Sequence, residues 1–239
     1  GRGIPSVEID TPDGKEYQMV SAFTRARAGS NFDDDNRDSI GMNGVGSMIT
    51  FVTSSLFDAK SSDGNLQVQM VGKNGQIDRI RTKETSLKGT TVKFRPDYEF
   101  FGMETIDEAH TSMIEERVRS LALAFDGVRF RFNKKIVRLK FADYFGNCDM
   151  FNTENAIFGI AKSDGSHQSA SLVNGLSVKS GTHIDYLLNT IMQDFRDALK
   201  RRRKVDITAA RLKQHLRVHA IINGFPALKF DSQTKERVT

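Results

Sequence analysis

Apolar residues recur along this chain with two periods, and each period predicts a different kind of element. Tyr17, Val20 and Phe23 lie three residues apart, a helical spacing that predicts a helix over residues 16–27. Polar and apolar residues alternate on both sides of an Asn-Gly pair, which predicts a β-hairpin over residues 66–81. The chain therefore mixes helices and strands.

Later segments repeat both patterns. We predict a strand over residues 90–95, a helix over 106–125 and a further pair of strands over 128–140. The apolar face predicted for that helix consists of Ile106, Met113, Ile114, Val118, Leu121 and Phe125. Elements in this order predict an α+β fold, in which an open sheet carries helices on one face.

The pattern weakens after residue 141, and we place a domain boundary near residue 150. A second domain then begins with strands near Ile157 and over residues 170–178, and it includes an alternating strand over 216–222.

The strongest helix of the second domain follows Gly181. Thr182 and Asp185 suggest an N-cap with an acidic third position. The apolar stripe predicted for this helix consists of Ile184, Leu187, Leu188, Ile191, Phe195 and Leu199.

Composition narrows the class of protein. With 239 residues, of which 38% are hydrophobic and 27% charged, the chain has the balance of a globular protein of one large or two ordinary domains. A single cysteine, Cys148, excludes a disulfide framework within the chain and favours a reducing, intracellular location. No apolar run is long enough to span a membrane. The net charge of +5 is compatible with nucleic acid as a partner.

A glycine-rich segment, Gly-Met-Asn-Gly-Val-Gly over residues 41–46, carries the clearest chemistry. It leads into an apolar helix predicted to reach about Leu56. Backbone N–H groups of such a turn converge on an anion at a helix start, so the segment is a candidate phosphate site. The alternative is an ordinary tight turn that requires positive φ angles. The polar loop over residues 28–39 is a candidate lid.

Five cations follow the long helix: Lys200, Arg201, Arg202, Arg203 and Lys204. They could contact DNA phosphates without reading sequence. The alternative is a solvated helix end that the helix dipole favours. Acidic residues 33–35 resemble a metal cluster, but their place in a loop favours solvation, and the histidines have no convincing ligand spacing. We therefore predict no metal ligand within the chain.

Three segments carry a family resemblance: Gly1-Arg-Gly-Ile-Pro5, the glycine-rich segment 41–46, and Ser232-Gln-Thr-Lys235. Together they resemble the ATPase region of type II DNA topoisomerases, within the gyrase, Hsp90, histidine kinase and MutL superfamily. Gly89-Thr90 looks like the family's Gly-Thr strand, and Gly181-Thr-His183 looks like the start of its main transducer helix. The resemblance spans nearly the whole chain. The best overall likeness is to the ATPase subunit of T-even bacteriophage topoisomerases.

The resemblance implies an architecture. Residues 1–150 would form a Bergerat-type two-layer α/β sandwich that binds ATP, and residues 151–239 a smaller α/β transducer domain. In the family, an Asp that reads adenine, a catalytic Glu and a Mg²⁺-binding Asn precede the position of Gly1. We therefore expect this sequence to be part of a longer subunit.

The resemblance also implies an ATP site. Its members would be Gly3, Ile4, Ser30, Asn31, Gly41, Met42, Asn43, Gly44, Val45, Gly46, Ser47, Thr90, Gln233 and Lys235. Thr90 would support the hydrogen bonds on the adenine side. Lys235 would touch the γ-phosphate as a sensor and electrostatic catalyst, which would distinguish ATP from ADP. The alternative for Lys235 is a solvated surface lysine.

The function implied by the family is that of an ATP-driven gate. ATP and Mg²⁺ would close two copies of the chain around one DNA duplex, while DNA-cleaving subunits or domains cut another. This chain would not itself cleave DNA. Two alternatives stay open: a MutL-like ATPase of DNA repair, and a non-hydrolysing fragment that binds nucleotide or DNA. The expected location is the cytoplasm of a phage-infected bacterium, with the nucleus as the alternative and no membrane as a partner.

Overall fold

The computed structural model describes residues 1–26, 28, 44–224, 229–231 and 235–239. Contacts within the chain divide its described residues into two compact units, one from Gly1 to Asp107 and the other from Glu108 to Thr239. We call them unit 1 and unit 2. The division falls between Asp107 and Glu108, so the boundary predicted near residue 150 is wrong and lies well inside unit 2.

Residues 108–150 belong to unit 2 because their side chains pack against its sheet. Arg117 donates a hydrogen bond to the carbonyl group of Gly175, and the Asn223 side chain donates to the carbonyl group of Ala124 over 2.6 Å. One buried cluster joins the two segments through Ala124, Phe141, Phe145, Leu172 and Ile221. Periodicity shows which face of a helix is apolar but not which sheet that face will cover, and the boundary was misplaced for this reason.

In the described part of unit 1, two short helices cover one face of a four-stranded antiparallel sheet. The elements in chain order are β1 (Glu8–Thr11), β2 (Gly14–Tyr17), α1 (Gln18–Thr24), α2 (Gly46–Val52), β3 (Ser54–Asp63), β4 (Leu66–Lys73), β5 (Gln76–Glu84) and β6 (Lys88–Pro96). The strand order in the sheet is β5-β4-β3-β6, and β1 pairs with β2 as a separate hairpin. Unit 1 is thus the two-layer α/β arrangement that the sequence predicts.

The core of unit 1 lies between α1, α2 and the central strands. Alternate residues of β3 and β4 face the helices because successive side chains of a strand point to opposite faces. The ring of Phe57 lies at the centre of this core, and the rings of Phe23 and Phe51 meet it edge-on with centroids 5.3 Å away. The buried members are Met19, Val20, Phe23, Phe51, Phe57, Ala59, Val68 and Met70.

Three predictions for unit 1 need correction. The first helix begins at Gln18 rather than at residue 16, because the residues before it pair with β1 as strand β2. Helix α2 ends at Val52 rather than near Leu56. Strand β3 was missed because its sequence is rich in serine and charge, which hides its alternation, although it pairs with both β4 and β6 at the centre of the sheet.

In unit 2, described helices cover both faces of a five-stranded mixed sheet. The elements in chain order are α3 (Glu108–Ala124), β7 (Phe130–Phe132), β8 (Lys135–Val137), α4 (Phe141–Phe145), β9 (Asp149–Asn152), β10 (Ala156–Lys162), β11 (Gln168–Val173), β12 (Leu176–Val178), β13 (Ser180–Gly181), α5 (Thr182–Arg203), α6 (Ala209–Lys213), β14 (Leu216–Ile222) and β15 (Arg237–Val238). The sheet order is β12-β11-β14-β10-β9. Helices α5 and α6 pack on one face, and α3 and α4 on the other. The predicted α+β class is confirmed.

Two features of the helices in unit 2 differ from prediction. Met113 and Ile114, assigned to the apolar face of α3, are 71% and 50% exposed, and burial is confined to the second half of the helix. The N-cap of α5 is Gly181 rather than Thr182, and no side chain caps the helix. Gly181 takes this position because β15 passes directly beside it.

We find no helix in the described ranges that combines the length and the apolar character needed to cross a membrane.

Candidate functional site

The first residues of unit 1 are held along the buried strand β3. The backbone N–H group of Ile4 donates to the Ser61 hydroxyl oxygen over 2.7 Å, and the Ser61 and Thr90 hydroxyl groups are hydrogen-bonded at 2.8 Å. Ser61 is only 1% exposed. The structure therefore brings together two predicted site residues, Ile4 and Thr90, through a serine that the sequence analysis did not single out.

Gly3 comes so close to β3 that only glycine fits. Its φ angle is +81°, a conformation that residues with a Cβ rarely adopt. A Cβ at this position would overlap the carbonyl oxygen of Ser62 and lie 2.7 Å from its carbonyl carbon. The glycine of the Gly-Ile-Pro motif is thus required by the contact with β3 as well as by its backbone angle.

A cavity of about 650 Å³ opens beside this segment, entirely within unit 1. Its described lining consists of Arg2, Gly3, Ile4, Pro5, Gln18, Ala22, Ala28, Asp63 and Lys88. The volume lies within the range of small-molecule and cofactor sites. An apolar wall at Ile4 and Pro5 together with the cations Arg2 and Lys88 suits a ligand that has an apolar part and an anionic part.

The described end of the glycine-rich segment lies next to the same cavity. Gly44 has a φ angle of +58°, Val45 precedes the helix as its N-cap, and α2 begins at Gly46. The Ser47 hydroxyl group donates to the carbonyl group of Ala22, a cavity residue, over 2.6 Å. This bond fixes the first turn of α2 against α1. The predicted site residues Ser30, Asn31, Gly41, Met42, Asn43 and Gln233 lie outside the described residues.

Asp63 is a second site residue that the sequence analysis missed. Its carboxylate accepts a hydrogen bond from the backbone N–H group of Ser6 over 2.9 Å and further bonds from those of Asn65 and Leu66. The Ser6 bond is the largest of the causes that lower the pKa of Asp63 from its ordinary value of 3.8. The carboxylate therefore stays ionised beside Lys88 and anchors the segment that lines the cavity.

We expect the stability of unit 1 to depend on this carboxylate in acid. Because the pKa of Asp63 is lowered on folding, its contribution is fully present above pH 3.8 and is lost as the pH falls through the folded-state value. Asp63→Asn should remove this part of the acid dependence of unfolding, whereas Asp10→Asn in strand β1 should keep it. Urea unfolding between pH 2 and 6 measures both variants. Equal acid dependence in the Asp63→Asn variant and the unsubstituted chain would contradict the assignment.

Lys235 lies in unit 2, in a segment anchored at the start of the longest helix. Strand β15 pairs in parallel with β13, which leads directly into α5. Lys179 and Glu236 add an ion pair at 3.0 Å and a backbone hydrogen bond at 3.1 Å. Lys235 itself is half-buried and has a φ angle of +59°. The Lys235 segment and the Gly181-Thr-His183 segment, predicted separately, are thus neighbours.

The cations Lys200 to Lys204 are exposed at the C-terminal end of α5. Lys200 pairs with Asp206 at 3.4 Å, and Lys204 closes the helix in a left-handed conformation. Both the solvated and the DNA-contacting interpretations fit this geometry.

Elsewhere in the described ranges, no group of three or more His, Cys, Asp or Glu residues could hold a metal ion. His183 is hydrogen-bonded to the Ser171 hydroxyl group at 2.7 Å, and burial lowers its pKa. His183 lies in the first turn of α5, and this bond connects the helix to strand β11 of the sheet.

Comparison with known proteins extends over the whole chain. The chain is 32% identical over 247 residues to the DNA topoisomerase large subunit of Enterobacteria phage T4, covering 100% of this chain and 48% of that protein. It is 31% identical over 267 residues to DNA topoisomerase 2 of Pisum sativum, where it covers 18% of the protein. This chain is a relative of the type II DNA topoisomerases. It spans about half the length of the phage relative, and no protein-family model matches it.

Solved structures show the same fold. The ATPase region of Saccharomyces cerevisiae topoisomerase II superposes with a TM-score of 0.86 at 23% identity. The ATPase and transducer domains of DNA topoisomerase II from Balamuthia mandrillaris superpose with a TM-score of 0.91 at 23% identity. Both superpositions cover 100% of this chain and 66% of the other chain. The resemblance to the ATPase and transducer region inferred from three short segments is therefore confirmed, and this topoisomerase relative has that region's fold.

Proposed function

We propose that this topoisomerase relative binds ATP in unit 1 and uses it to close a dimeric gate that passes one DNA duplex through another. The observation that carries the proposal is the 650 Å³ cavity beside Gly3 and Ile4, which are fixed on β3 by a close backbone approach and by Ser61. The likeness in fold to the ATPase region of Saccharomyces cerevisiae topoisomerase II supports the choice of nucleotide.

The cavity residues suit the two ends of a nucleotide. Ile4 and Pro5 would face the apolar base, and the Ser61–Thr90 pair would hold that wall in place from behind. Arg2 and Lys88 would attract the phosphates. The ionised carboxylate of Asp63 would repel the phosphates and so keep them away from its end of the cavity. The backbone of residues 41–47 would complete the phosphate side, as in the family.

When bound, ATP with Mg²⁺ supplies a γ-phosphoryl group whose bond to the β-phosphate can be hydrolysed. Gln233 and Lys235 would sense the γ-phosphoryl group, because an amide N–H group and an ammonium group form strong hydrogen bonds to a terminal phosphate. We therefore assign these residues nucleotide recognition and sensing.

The remaining partners follow from the same proposal. Two copies of the chain would form the gate, DNA-cleaving subunits or domains would complete the enzyme, and the cations Lys200 to Lys204 would contact the duplex that passes through. The location would be the cytoplasm of a phage-infected bacterium, or alternatively the nucleus.

The sensing role of Lys235 has a direct test. We expect Lys235→Ala to weaken binding of a non-hydrolysable ATP analogue by at least about tenfold, since a charge-assisted hydrogen bond contributes roughly 1.5–3 kcal/mol. ADP binding should stay within about twofold, because ADP has no γ-phosphate. Lys229→Ala, in the same terminal segment, is the control and should change neither affinity. Titration calorimetry measures all three proteins.

Two results would count against this assignment. Equal weakening of ADP and of the ATP analogue would show that Lys235 acts on the fold of the site rather than on the γ-phosphate. Unchanged affinity for both ligands would leave Lys235 as a surface lysine and would restore the MutL-like alternative.

A further inference from the structure

The face of the unit 1 sheet opposite α1 and α2 carries a dense set of cations, which we call the basic sheet face. Its members are Lys60 of β3, Lys73 of β4, Arg79, Arg81 and Lys83 of β5, and Lys93 and Arg95 of β6. None of these residues has a role in the proposed ATP site.

Strand register places these side chains on one face. Arg81 pairs with Gln69, which pairs with Lys60, so all three point to the same side. The neighbouring row across the sheet runs from Arg79 through Val71 and Asp58 to Lys93, and the next row runs from Lys73 through Leu56 to Arg95. The opposite face contains Phe57 and Met70, which face the helices.

The charge of this face is poorly compensated. Asp58 lies among the cations, but its carboxylate accepts a hydrogen bond from the Gln69 amide at 2.8 Å. The Asp78 carboxylate, at the bulge of β5, lies 3.9 Å from the guanidinium group of Arg79. Two carboxylates therefore face seven cations, most of which are exposed. Like charges held this close on a rigid sheet repel one another, and a polyanion relieves that repulsion.

The dimensions of the face fit a duplex. Neighbouring strands lie about 4.8 Å apart, so the outer cation columns on β5 and β6 are about 14 Å apart, comparable with the roughly 12 Å width of the DNA major groove. Alternate residues of a strand are about 6.8 Å apart, so Arg79, Arg81 and Lys83 extend over about 14 Å.

The chemistry of the face selects among polyanions. Single-stranded nucleic acid is held by stacking of bases on aromatic side chains, and the outward positions of these strands include none. A membrane surface is normally bound with apolar side chains that insert, whereas Leu56 and Val71 lie between cations at the middle of the face. Cations alone suit the phosphate backbone of a duplex.

We propose that the basic sheet face binds the backbone of double-stranded DNA without reading its sequence, as a contact separate from the cations at the end of α5. The choice of DNA among duplex polyanions rests on the proposed function. The charge and its placement do not depend on that function.

The test compares two triple charge reversals in the 239-residue chain. The sheet variant carries Arg79→Glu, Arg81→Glu and Lys83→Glu on the basic sheet face. The hairpin variant makes the same change of charge in the β7–β8 hairpin with Arg131→Glu, Lys134→Glu and Lys135→Glu. Fluorescence anisotropy with a labelled duplex measures affinity at several salt concentrations. The sheet variant should lose at least about tenfold in affinity, and its slope of log affinity against log salt should fall by about 2 to 3. The hairpin variant should stay within about twofold.

Other outcomes overturn the proposal. Equal losses in both variants would show a response to net charge alone, and equal binding of single-stranded DNA or of phosphatidylserine vesicles would assign the face to another anion. A neutral variant with Arg79→Gln, Arg81→Gln and Lys83→Gln is measured as well. A thermal melt of each variant distinguishes misfolding from the loss of DNA contacts. Binding of the ATP analogue is measured on the same samples. If the unsubstituted chain does not bind the ATP analogue, the proposed function is contradicted. The comparison of the two DNA affinities would still decide whether the basic sheet face binds DNA.

Discussion

Gly3→Ala is expected to destabilise unit 1 by about 2–5 kcal/mol and to abolish binding of an ATP analogue, because steric overlap and backbone strain act together. The φ angle of Gly3 is +81°, and an added Cβ would overlap the carbonyl group of Ser62 on the central strand β3. Relief requires the first residues to leave β3, which would break the hydrogen bond from Ile4 to Ser61. Urea unfolding and a nucleotide titration measure the two effects.

Gly14 provides a matched control for this substitution. Its φ angle is +116°, but a Cβ at Gly14 would meet nothing within 4 Å. Gly14→Ala therefore includes the backbone strain, about 1–2 kcal/mol, without the steric overlap. If the two variants lose the same stability and both keep nucleotide binding, the close approach of Gly3 to β3 is not what shapes the cavity.

Gly181→Ala is expected to detach the segment that carries Lys235, with a loss of about 2–4 kcal/mol in the free energy of unfolding from strain and overlap. Gly181 has a φ angle of +146°, and a Cβ there would lie 2.5 Å from the Val238 carbonyl oxygen and 2.8 Å from the Val238 nitrogen. Strand β15 would have to separate from β13, so the backbone amides of Arg237 and Val238 should exchange faster with solvent. Hydrogen exchange read by mass spectrometry reports this directly.

The control for Gly181 is Gly165, which has a φ angle of +99° and open space around its Cβ position. Gly165→Ala should leave the exchange of residues 235–239 unchanged. If Lys235 senses the γ-phosphate, Gly181→Ala should also reduce the preference for the ATP analogue over ADP. Normal protection of Arg237 and Val238 in the Gly181→Ala variant would refute the anchoring role of Gly181.

The family resemblance predicted Gly3, Ile4 and Thr90 as site residues from short motifs, and the structure joins Ile4 and Thr90 through Ser61. Ser61 and Asp63 could not be found in this way. They lie in a serine-rich strand whose alternation is hidden, and their roles depend on residues that are distant in the chain, such as Ser6.

The sequence by itself determined the α+β class, the helices α3 and α5, the hairpin of β4 and β5, and the family, because periodicity, turn residues and short motifs are local properties. Only the tertiary structure decided that residues 108–150 belong to unit 2, that β3 is the central strand, and that the Lys235 segment pairs beside Gly181. These facts depend on which surfaces bury one another and on hydrogen bonds between strands far apart in the chain. A local pattern shows that a segment has an apolar face or an unpaired edge, and packing alone decides what covers it.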